Sequence, residues 1–290
     1  MDIIICVAKK DCRLLYKNIP YVNSNLSAKR IFLITNKKNF KYFDINFCEK
    51  YNIILCDENE LVPNLAFSDV KRIMNKYMPT MNHYGWYFQQ FLKMGFALSQ
   101  YAEDEYVVWD SDTFPLKKLD FKDGEDYLFT GKTEYHIPYF TTMKKLIGLN
   151  KTEQHSFIAE HMIFNVKVMQ ELIAKINNSN AIGETWYEKI LSIIDPKVHQ
   201  GFSEFETYGT YYISNYNTYK IRILNTMRDG GKLFGRGVTT EELNNVKHLC
   251  DTISFELQDF PPFPKNLRCI SQIYYFWHRR ISKKLKQLNK

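Results

Sequence analysis

Three short apolar runs near the amino terminus constrain the fold of this chain most. They are Asp2–Val7, Arg30–Thr35 and Tyr51–Cys56, and polar segments separate them. Continuous apolar runs of this length are typical of strands that are buried on both faces, as in parallel sheets. A helix that begins at Cys12–Tyr16 is predicted between the first two runs. Strand–helix–strand order with short connections predicts a parallel sheet with right-handed crossovers, and therefore an α/β fold.

The middle of the chain adds a long helix and a further strand. Apolar residues recur at helical spacing over His83–Tyr101, and the strand Tyr106–Trp109 follows and ends before Pro115. Shorter signals continue through the second half, which we interpret as structure built on the same sheet. Its predicted strands are Tyr127–Thr130, Met162–Val166, Thr210–Ile213 and Lys220–Leu224, and its predicted helices are Lys167–Asn177 and Thr185–Ile194.

The positive charge of the chain is concentrated at its carboxyl end. The net charge is +7, and the last stretch, WHRRISKKLKQLNK, contains six basic residues and no acid. A nucleic-acid-binding protein would spread such charge along a groove-facing element, so we expect no nucleic-acid partner. After the break at Pro261, Pro262 and Pro264, residues 265–290 are predicted to form a basic amphipathic helix. This helix either lies on an anionic membrane surface or packs on the body with a solvated basic face.

The cysteines and the amino terminus bear on the cellular compartment. Six cysteines show no CxxC pair, which favours reduced thiols. The first apolar run is too short for a signal peptide, and no stretch approaches the ~20 apolar residues of a membrane span. We therefore expect a cytoplasmic protein, with the basic tail as a means of peripheral contact with the cytoplasmic face of the inner membrane.

Two aspartates follow the strand Tyr106–Trp109 in the segment YVVWDSDTFPL. Because side chains alternate along an extended chain, Asp110 and Asp112 are predicted to project to the same side. Two neighbouring carboxylates repel each other unless a cation lies beside them, and Mg²⁺ or Mn²⁺ prefers oxygen ligands. Ligands of open α/β sheets bind at the carboxyl ends of strands. The pair therefore indicates a metal site, and the alternative is an exposed Asp-Ser-Asp turn.

The run GWYFQQFLKMGFALSQYAEDEYVVWDSDTFPL resembles the core of bacterial cell-surface polysaccharide (capsule and lipopolysaccharide) glycosyltransferases with the GT-A fold and a D-x-D motif. The segments AEHMIFN and GFSEFETYGTYY are similar to further patterns of that family. The resemblance extends loosely from Asp2 to Thr240. It implies a GT-A-like domain over 1–260, with a nucleotide-sugar-binding half at 1–115 and an acceptor-side half at 116–260. It also implies a nucleotide-sugar donor (a UDP-sugar is favoured), Mn²⁺ or Mg²⁺, and a cell-surface glycan or polyprenol-linked acceptor.

The resemblance also implies roles for residues on the donor side. Asp112 takes the role of direct metal ligand, and Asp110 contacts the metal, a metal-bound water or the ribose. Gln90 and Lys93 lie at helical spacing before the motif, where Lys93 would offset phosphate charge or would be a solvated surface lysine. The exit of the first strand, from Val7 to Asp11, would hold the nucleotide base, with Asp11 accepting a hydrogen bond from it.

An inverting transfer needs a base for the acceptor hydroxyl, and Glu204 and Glu206 in SEFETYG are the candidates. We interpret this segment as a loop that enters a short strand, with Glu204 slightly favoured over Glu206; solvated or salt-bridged loop acids are the alternative. Glu160 and His161 are weaker candidates for acceptor contacts, and His161 is more typical of a packed core group.

Two further interpretations concern a glycine-containing turn and the class of protein. The turn MRDGGK could close over a diphosphate, although an ordinary hairpin turn is favoured. A haloacid-dehalogenase-type phosphohydrolase also uses a D-x-D motif, but that pattern requires Thr two residues beyond the second Asp, whereas Thr113 follows it directly. A non-catalytic glycan-binding module is the third possibility, because the aromatic content of 16% suits a sugar cleft.

Overall fold

The computed structural model describes residues 1–235 and 237–256. The predicted basic helix at 265–290 and the proline break before it lie outside the described residues. The strands are β1 (Asp2–Cys6), β2 (Arg30–Thr35), β3 (Ile53–Asp57), β4 (Glu105–Trp109), β5 (Thr113–Pro115), β6 (Lys122–Asp123), β7 (Asp126–Thr130), β8 (His161–Asn165), β9 (Tyr219–Arg222), β10 (Thr226–Met227) and β11 (Thr252–Ser254). The helices are α1 (Cys12–Asn25), α2 (Ile45–Lys50), α3 (Phe67–Tyr77), α4 (Tyr84–Gly95), α5 (Ile137–Ile147), α6 (Val166–Asn177), α7 (Trp186–Ile193), α8 (Glu204–Asn215), α9 (Gly230–Phe234) and α10 (Thr240–Val246).

A five-stranded sheet with the order β3-β2-β1-β4-β8 forms the centre of the fold. Strands β1 to β4 are parallel, and β8 is antiparallel to β4. The apolar runs seen in the sequence supply its interior: Ile3, Ile31 and Val107, for example, have no exposed surface. The predicted α/β fold with a mostly parallel central sheet flanked by helices is confirmed.

The strand order places a topological switch point between β1 and β4. From β1 the chain proceeds outward to β2 and β3, and then returns to the other side of β1 as β4. Ile4 pairs with Val108 in this parallel register, so Cys6 lies level with Asp110 two residues further along. Crossover connections leave opposite sides of the sheet here, and such switch points are where open α/β sheets bind ligands.

The chain divides into two compact units, each built from several segments. The first contains Met1–Cys12, Ser27–Ser111 and Asp120–Ile223. It holds the five-stranded sheet and a small sheet of order β6-β7-β9. The predicted division into halves at 1–115 and 116–260 stays a prediction.

The second unit contains Arg13–Leu26, Asp112–Leu119 and the chain from Leu224 onward. Most of α1 lies in it, beside a three-stranded sheet of order β10-β11-β5. Its apolar interior includes Phe114 and Phe255, whose rings meet edge to face with centroids 5.3 Å apart. The Phe114 ring also meets the Tyr21 ring edge to face at 5.5 Å.

Three local predictions were wrong. The predicted strand Thr210–Ile213 is part of helix α8, which begins at Glu204 because the Ser203 hydroxyl accepts a hydrogen bond from the Glu206 N–H. The glycine turn MRDGGK contains the short helix α9 rather than a hairpin turn. The helix predicted over His83–Tyr101 is shorter, because the chain tightens after Gly95 into a 3-10 turn, Phe96–Leu98. Within the described ranges, no helix is both long and apolar enough to cross a membrane.

Candidate active site

Asp110 lies at the switch point because it directly follows the central strand β4. The strand ends at Trp109, and the Asp110 N–H donates to the Glu160 carbonyl at 2.9 Å, which fixes the backbone where the ladder stops. The side chain of Asp110 is 32% exposed, so its carboxylate is accessible although the strand behind it is buried. This placement matches the expectation that Asp110 lies at the carboxyl end of a buried strand.

Lys93 joins Asp110 to Glu204 in a buried ion-pair network. Its Nζ lies 2.8 Å from Asp110 Oδ1 and 2.8 Å from Glu204 Oε1, and the Lys93 and Glu204 side chains are only 4% and 6% exposed. Burial alone would lower the pKa of Lys93, but the Asp110 and Glu204 carboxylates together raise it. The ammonium is therefore charged, and it is engaged by two carboxylates. Lys93 is not a solvated surface lysine, and its role toward a donor phosphate stays a prediction.

The same contacts act on the Asp110 carboxyl. Burial raises the pKa of Asp110, the Lys93 ammonium opposes that rise, and the charges of Glu204 and Glu160 add to it. The Lys93 ammonium thus favours the charged form of Asp110, and the two acidic neighbours disfavour it.

Gln90 positions Glu204 through the backbone. Its Oε1 accepts a hydrogen bond from the Glu204 N–H at 3.1 Å, and its Nε2 donates to the Trp86 carbonyl. The residue is 2% exposed. Gln90, which was predicted to contact the donor, thus connects α4 to the first residue of α8 and holds the Glu204 carboxylate toward Lys93.

Glu206 belongs to a different network. Its carboxylate accepts from Lys151 Nζ at 2.9 Å, from the Phe157 N–H at 2.6 Å and from the Thr210 hydroxyl at 3.2 Å. Residues two positions apart in a helix point in nearly opposite directions. The extended geometry that would place Glu204 and Glu206 on one face is therefore wrong, and only Glu204 contacts the Lys93–Asp110 pair.

The exit of β1 forms the other side of the switch point. The Val7 N–H donates to the Ile34 carbonyl, and the Val7 carbonyl accepts from the Thr35 hydroxyl at 2.6 Å. Asp11 follows in a 3-10 turn, Lys9–Asp11, and is 9% exposed. The predicted base-binding role of Val7 and Asp11 is compatible with this position and stays a prediction.

Cys6, the last residue of β1, is a residue near the site that the sequence alone did not single out. Its thiol lies against the Gln89 carbonyl of α4 at 3.8 Å. Burial raises the pKa of Cys6 to about 12, while Lys93 opposes the rise and Asp110 and Glu204 add to it. The thiol is thus neutral at physiological pH and acts as a packing group beside the charged network.

His161 is the first residue of β8, the strand next to β4, and Glu160 directly precedes it. Glu160 pairs with Lys132 at 3.2 Å. The His161 ring stacks on Trp109 with a centroid distance of 4.7 Å, and its Nε2 shares a hydrogen bond with the Thr130 hydroxyl at 2.9 Å. Burial holds the pKa of His161 well below its usual value, so the ring is neutral and part of the core. Its Nδ1 is buried and has no hydrogen-bond partner among the described residues.

A divalent cation can be tested against these side chains. The described residues contain no group of three or more His, Cys, Asp and Glu side chains that could hold a metal ion by themselves. Lys93 holds Oδ1 of Asp110, and the side chain keeps 32% of its surface exposed. This suits a carboxylate that supplies one oxygen to a cation whose other ligands come from a substrate. Asp112 is half-buried and opens the segment Asp112–Leu119 of the second unit; its carbonyl accepts from the Phe255 N–H at 2.9 Å.

Fold and site together define an α/β protein with a buried acid–lysine–acid network at the switch point of its sheet. Residues 7–232 match the model of a family of unknown function, DUF6492, and the chain belongs to that family. No curated protein matches it by sequence.

The chain is also similar to several solved structures. The galactosyltransferase LgtC, in complex with donor and acceptor sugar analogs, is 10% identical with a TM-score of 0.48, covering 95% of this chain and 94% of LgtC. Mouse xyloside xylosyltransferase 1 is 11% identical with a TM-score of 0.42, covering 91% and 100%. The glycosyltransferase GlyE of Streptococcus pneumoniae TIGR4 is 13% identical with a TM-score of 0.40, covering 99% and 63%. At these TM-scores the likenesses establish neither the activity nor the site residues of this chain.

Proposed function

We propose that this protein is a metal-dependent glycosyltransferase that transfers a sugar from a nucleotide-sugar donor. The observation that carries the proposal is the position of Asp110, which lies at the carboxyl end of β4 directly beside the carboxyl end of β1. Asp112 follows Asp110 two residues later, and a switch point of this kind is where an α/β sheet would receive a nucleotide diphosphate. The sequence resemblance to GT-A glycosyltransferases supports the same interpretation.

The chemistry of a nucleotide-sugar donor suits these residues. Its diphosphate repels carboxylates, so Asp110 and Asp112 need a divalent cation between themselves and the donor. When bound, Mn²⁺ or Mg²⁺ would stabilise the negative charge of the leaving diphosphate. Lys93 contributes indirectly, because its two 2.8 Å contacts fix the rotamers of Asp110 and Glu204. Preorganised carboxylates bind a cation without the cost of ordering flexible side chains.

Of the two base candidates, we propose Glu204. Glu204 shares Lys93 with Asp110 as an ion-pair partner, whereas Glu206 accepts hydrogen bonds from Lys151 and the Phe157 N–H. An acceptor hydroxyl that reaches Glu204 could pass its proton to this carboxylate, which corresponds to an inverting transfer. We propose Glu206 as a positioning residue that ties the chain before β8 to α8.

The finer assignments stay proposals on the sequence resemblance. They are a UDP-linked sugar, a cell-surface glycan or polyprenol-linked acceptor, and action in the cytoplasm with the basic tail on the inner membrane. The phosphohydrolase alternative requires the D-x-D motif on the first strand of the sheet, whereas Asp110 follows β4. The glycan-binding alternative differs in its outcome, since it gives saccharide binding without turnover of any donor.

The test is donor turnover measured by release of the nucleoside diphosphate. UDP-, GDP-, TDP- and ADP-linked sugars are incubated with the protein with and without Mn²⁺, in the presence of simple glycoside acceptors. We expect one nucleotide class to be turned over only with metal, Asp112→Asn to abolish this, and Glu204→Gln to remove transfer while donor affinity is kept. Asp123→Asn is the matched control, because Asp123 is 65% exposed and pairs with Lys220. Full activity in Asp112→Asn would refute the site.

A further inference from the structure

Aromatic and imidazole side chains form an exposed surface on the segments that precede α4, α5 and α8. We call it the ring surface and define it as His83, Tyr135, His136, Ile137 and His199. Tyr135 and Ile137 are 65% and 66% exposed, unusually high values for large apolar side chains at the start of a helix. The proposed function does not use any of these residues.

The members of the ring surface come from three parts of the chain, which are linked by two contacts. His83 precedes α4 and meets the His199 ring edge to face, with a centroid distance of 5.4 Å. The carbonyl of the next residue, Gln200, contacts His136 Nε2 at 2.7 Å. Tyr135 and Ile137 flank His136 at the start of α5. All of these contacts lie within the first unit.

The rings are held in place from below. The Tyr135 ring rests on Phe140 with a centroid distance of 4.4 Å, and Lys151 Nζ lies 5.1 Å from the Phe140 ring. Lys151 is itself held by Glu206 at 2.9 Å. The His136 ring meets the buried Tyr139 at 4.4 Å. An exposed ring with a fixed support loses little conformational entropy when a ligand covers it.

The ring surface connects directly to the charged network. Gly201, next to Gln200, donates its N–H to the Tyr87 hydroxyl at 3.1 Å, and three residues later the Glu204 N–H donates to Gln90. Tyr139 is also close to the network: burial raises its pKa, and the charge of Glu204 adds to the rise. The backbone that carries His199 therefore leads within five residues to Glu204.

We propose that the ring surface binds the acceptor saccharide. This inference rests on the proposed function and assigns residues to its acceptor site. A pyranose ring presents an apolar C–H face that packs on an aromatic ring, and hydroxyl groups at its edge. Imidazole nitrogens donate and accept hydrogen bonds and so match those hydroxyls. The five side chains contribute no carboxylate, ammonium or guanidinium group, which suits a neutral sugar better than a phosphate.

Saccharide binding is tested by saturation-transfer NMR with methyl β-galactoside, methyl β-glucoside and methyl N-acetyl-β-glucosaminide on the full chain. We expect transfer to the C–H face of at least one probe. Tyr135→Ala and His199→Ala should each weaken that binding by about 2- to 10-fold, the range for one aromatic contact. Matched controls are Tyr42→Ala and Ile182→Ala, because Tyr42 and Ile182 are 41% and 72% exposed in other segments. Binding of none of the probes, or unchanged binding in Tyr135→Ala, overturns the proposal.

Two further readouts separate this proposal from the proposed function. If the chain transfers sugar, Tyr135→Ala should raise the acceptor KM by the same factor and leave kcat and donor affinity unchanged; a lower kcat with the same KM contradicts saccharide binding here. If no donor is turned over but Tyr135→Ala still weakens saccharide binding, the proposed function fails and the ring surface stands as a glycan-binding site. The alternative occupant of the ring surface is a second copy of the chain, which light scattering detects as a dimer. A dimer that Tyr135→Ala dissociates would also overturn the proposal.

Discussion

Replacing Lys93 by Met should strongly destabilise the protein and make its stability depend on pH. Methionine fills most of the lysine volume but leaves the Asp110 and Glu204 carboxylates without their shared cation. Breaking a buried ion pair by removing one partner costs about 3–5 kcal/mol. At roughly 2–4 °C per kcal/mol for a chain of this size, the melting temperature should fall by roughly 6–20 °C at neutral pH.

The sign of the pH dependence follows from the two carboxylates. Without Lys93, burial and the charge of Glu204 raise the pKa of Asp110 unopposed, so its carboxyl takes up a proton more readily in the folded state than in the unfolded chain. Lowering the pH toward 4 should therefore reduce the stability deficit of Lys93→Met relative to the wild type. Adding Glu204→Gln to Lys93→Met should recover stability at neutral pH, because one of the two charges is removed.

The assay is thermal unfolding followed by circular dichroism between acidic and neutral pH, with Lys29→Met as the control. Lys29 pairs with Glu103, but these side chains are 58% and 50% exposed. Exposed pairs contribute about 0–1 kcal/mol, so this variant should melt nearly with the wild type. If Lys93→Met loses no more than Lys29→Met, the network does not stabilise the site and the reasoning is refuted.

Three other predictions concern the surroundings of the site. Glu206→Gln should lower the free energy of unfolding by about 1.5–3 kcal/mol in chemical denaturation, because hydrogen bonds to a buried carboxylate are lost. The control is Glu171→Gln at an exposed position, and equal unfolding midpoints for the two variants would contradict the role of Glu206. Gly209→Ala should cost about 1–3 kcal/mol, since its Cβ would lie 2.4 Å from the Phe157 ring, whereas Gly85→Ala, with nothing within 4 Å, should be neutral or stabilising; no difference between the two variants would show that α8 can shift. The pKa of His161 is well below 6.5 in the folded state, so the unfolded chain binds the extra proton and stability falls as the pH drops below 6.5, by up to about 1.4 kcal/mol per unit. His161→Gln should flatten this slope in urea unfolding measured across pH, and an unchanged slope would show that another group produces it.

The central sheet could be predicted from the sequence because its strands correspond to uninterrupted apolar runs. Asp2–Cys6, Arg30–Thr35 and Glu105–Trp109 match the predicted strands to within a residue. The position of Asp110 follows from the same pattern, since it is the first polar residue after β4.

Helix α8 was missed although the sequence contains a signal for it. Ser203 followed three residues later by Glu206 fits the start of a helix, and Ser203 does cap it. The glycines on both sides and the β-favouring Thr-Tyr-Tyr run favoured a strand, and tertiary packing overrode that local preference. Gly209 is needed because its neighbour Phe157 leaves no space for a side chain.

The networks around Lys93 and Glu206 could not be predicted, because their members are distant in sequence. Lys93 and Glu204 are separated by 111 residues, and Lys151 and Glu206 by 55. A helical lysine near an acidic motif has the same local pattern whether it is solvated or buried. Only the packing of α4 and α8 makes Lys93 the shared partner of two carboxylates.

The most direct test of the central claim is calorimetric titration of UDP, and then of the other nucleoside diphosphates, with and without Mn²⁺. We expect the wild-type chain to bind one of them only with the metal, Asp112→Asn to lose this binding, and Asp123→Asn to keep it. Nucleotide binding that is indifferent to Mn²⁺ and to Asp112→Asn, or binding of no nucleoside diphosphate, would contradict a metal-dependent donor site at Asp110 and Asp112.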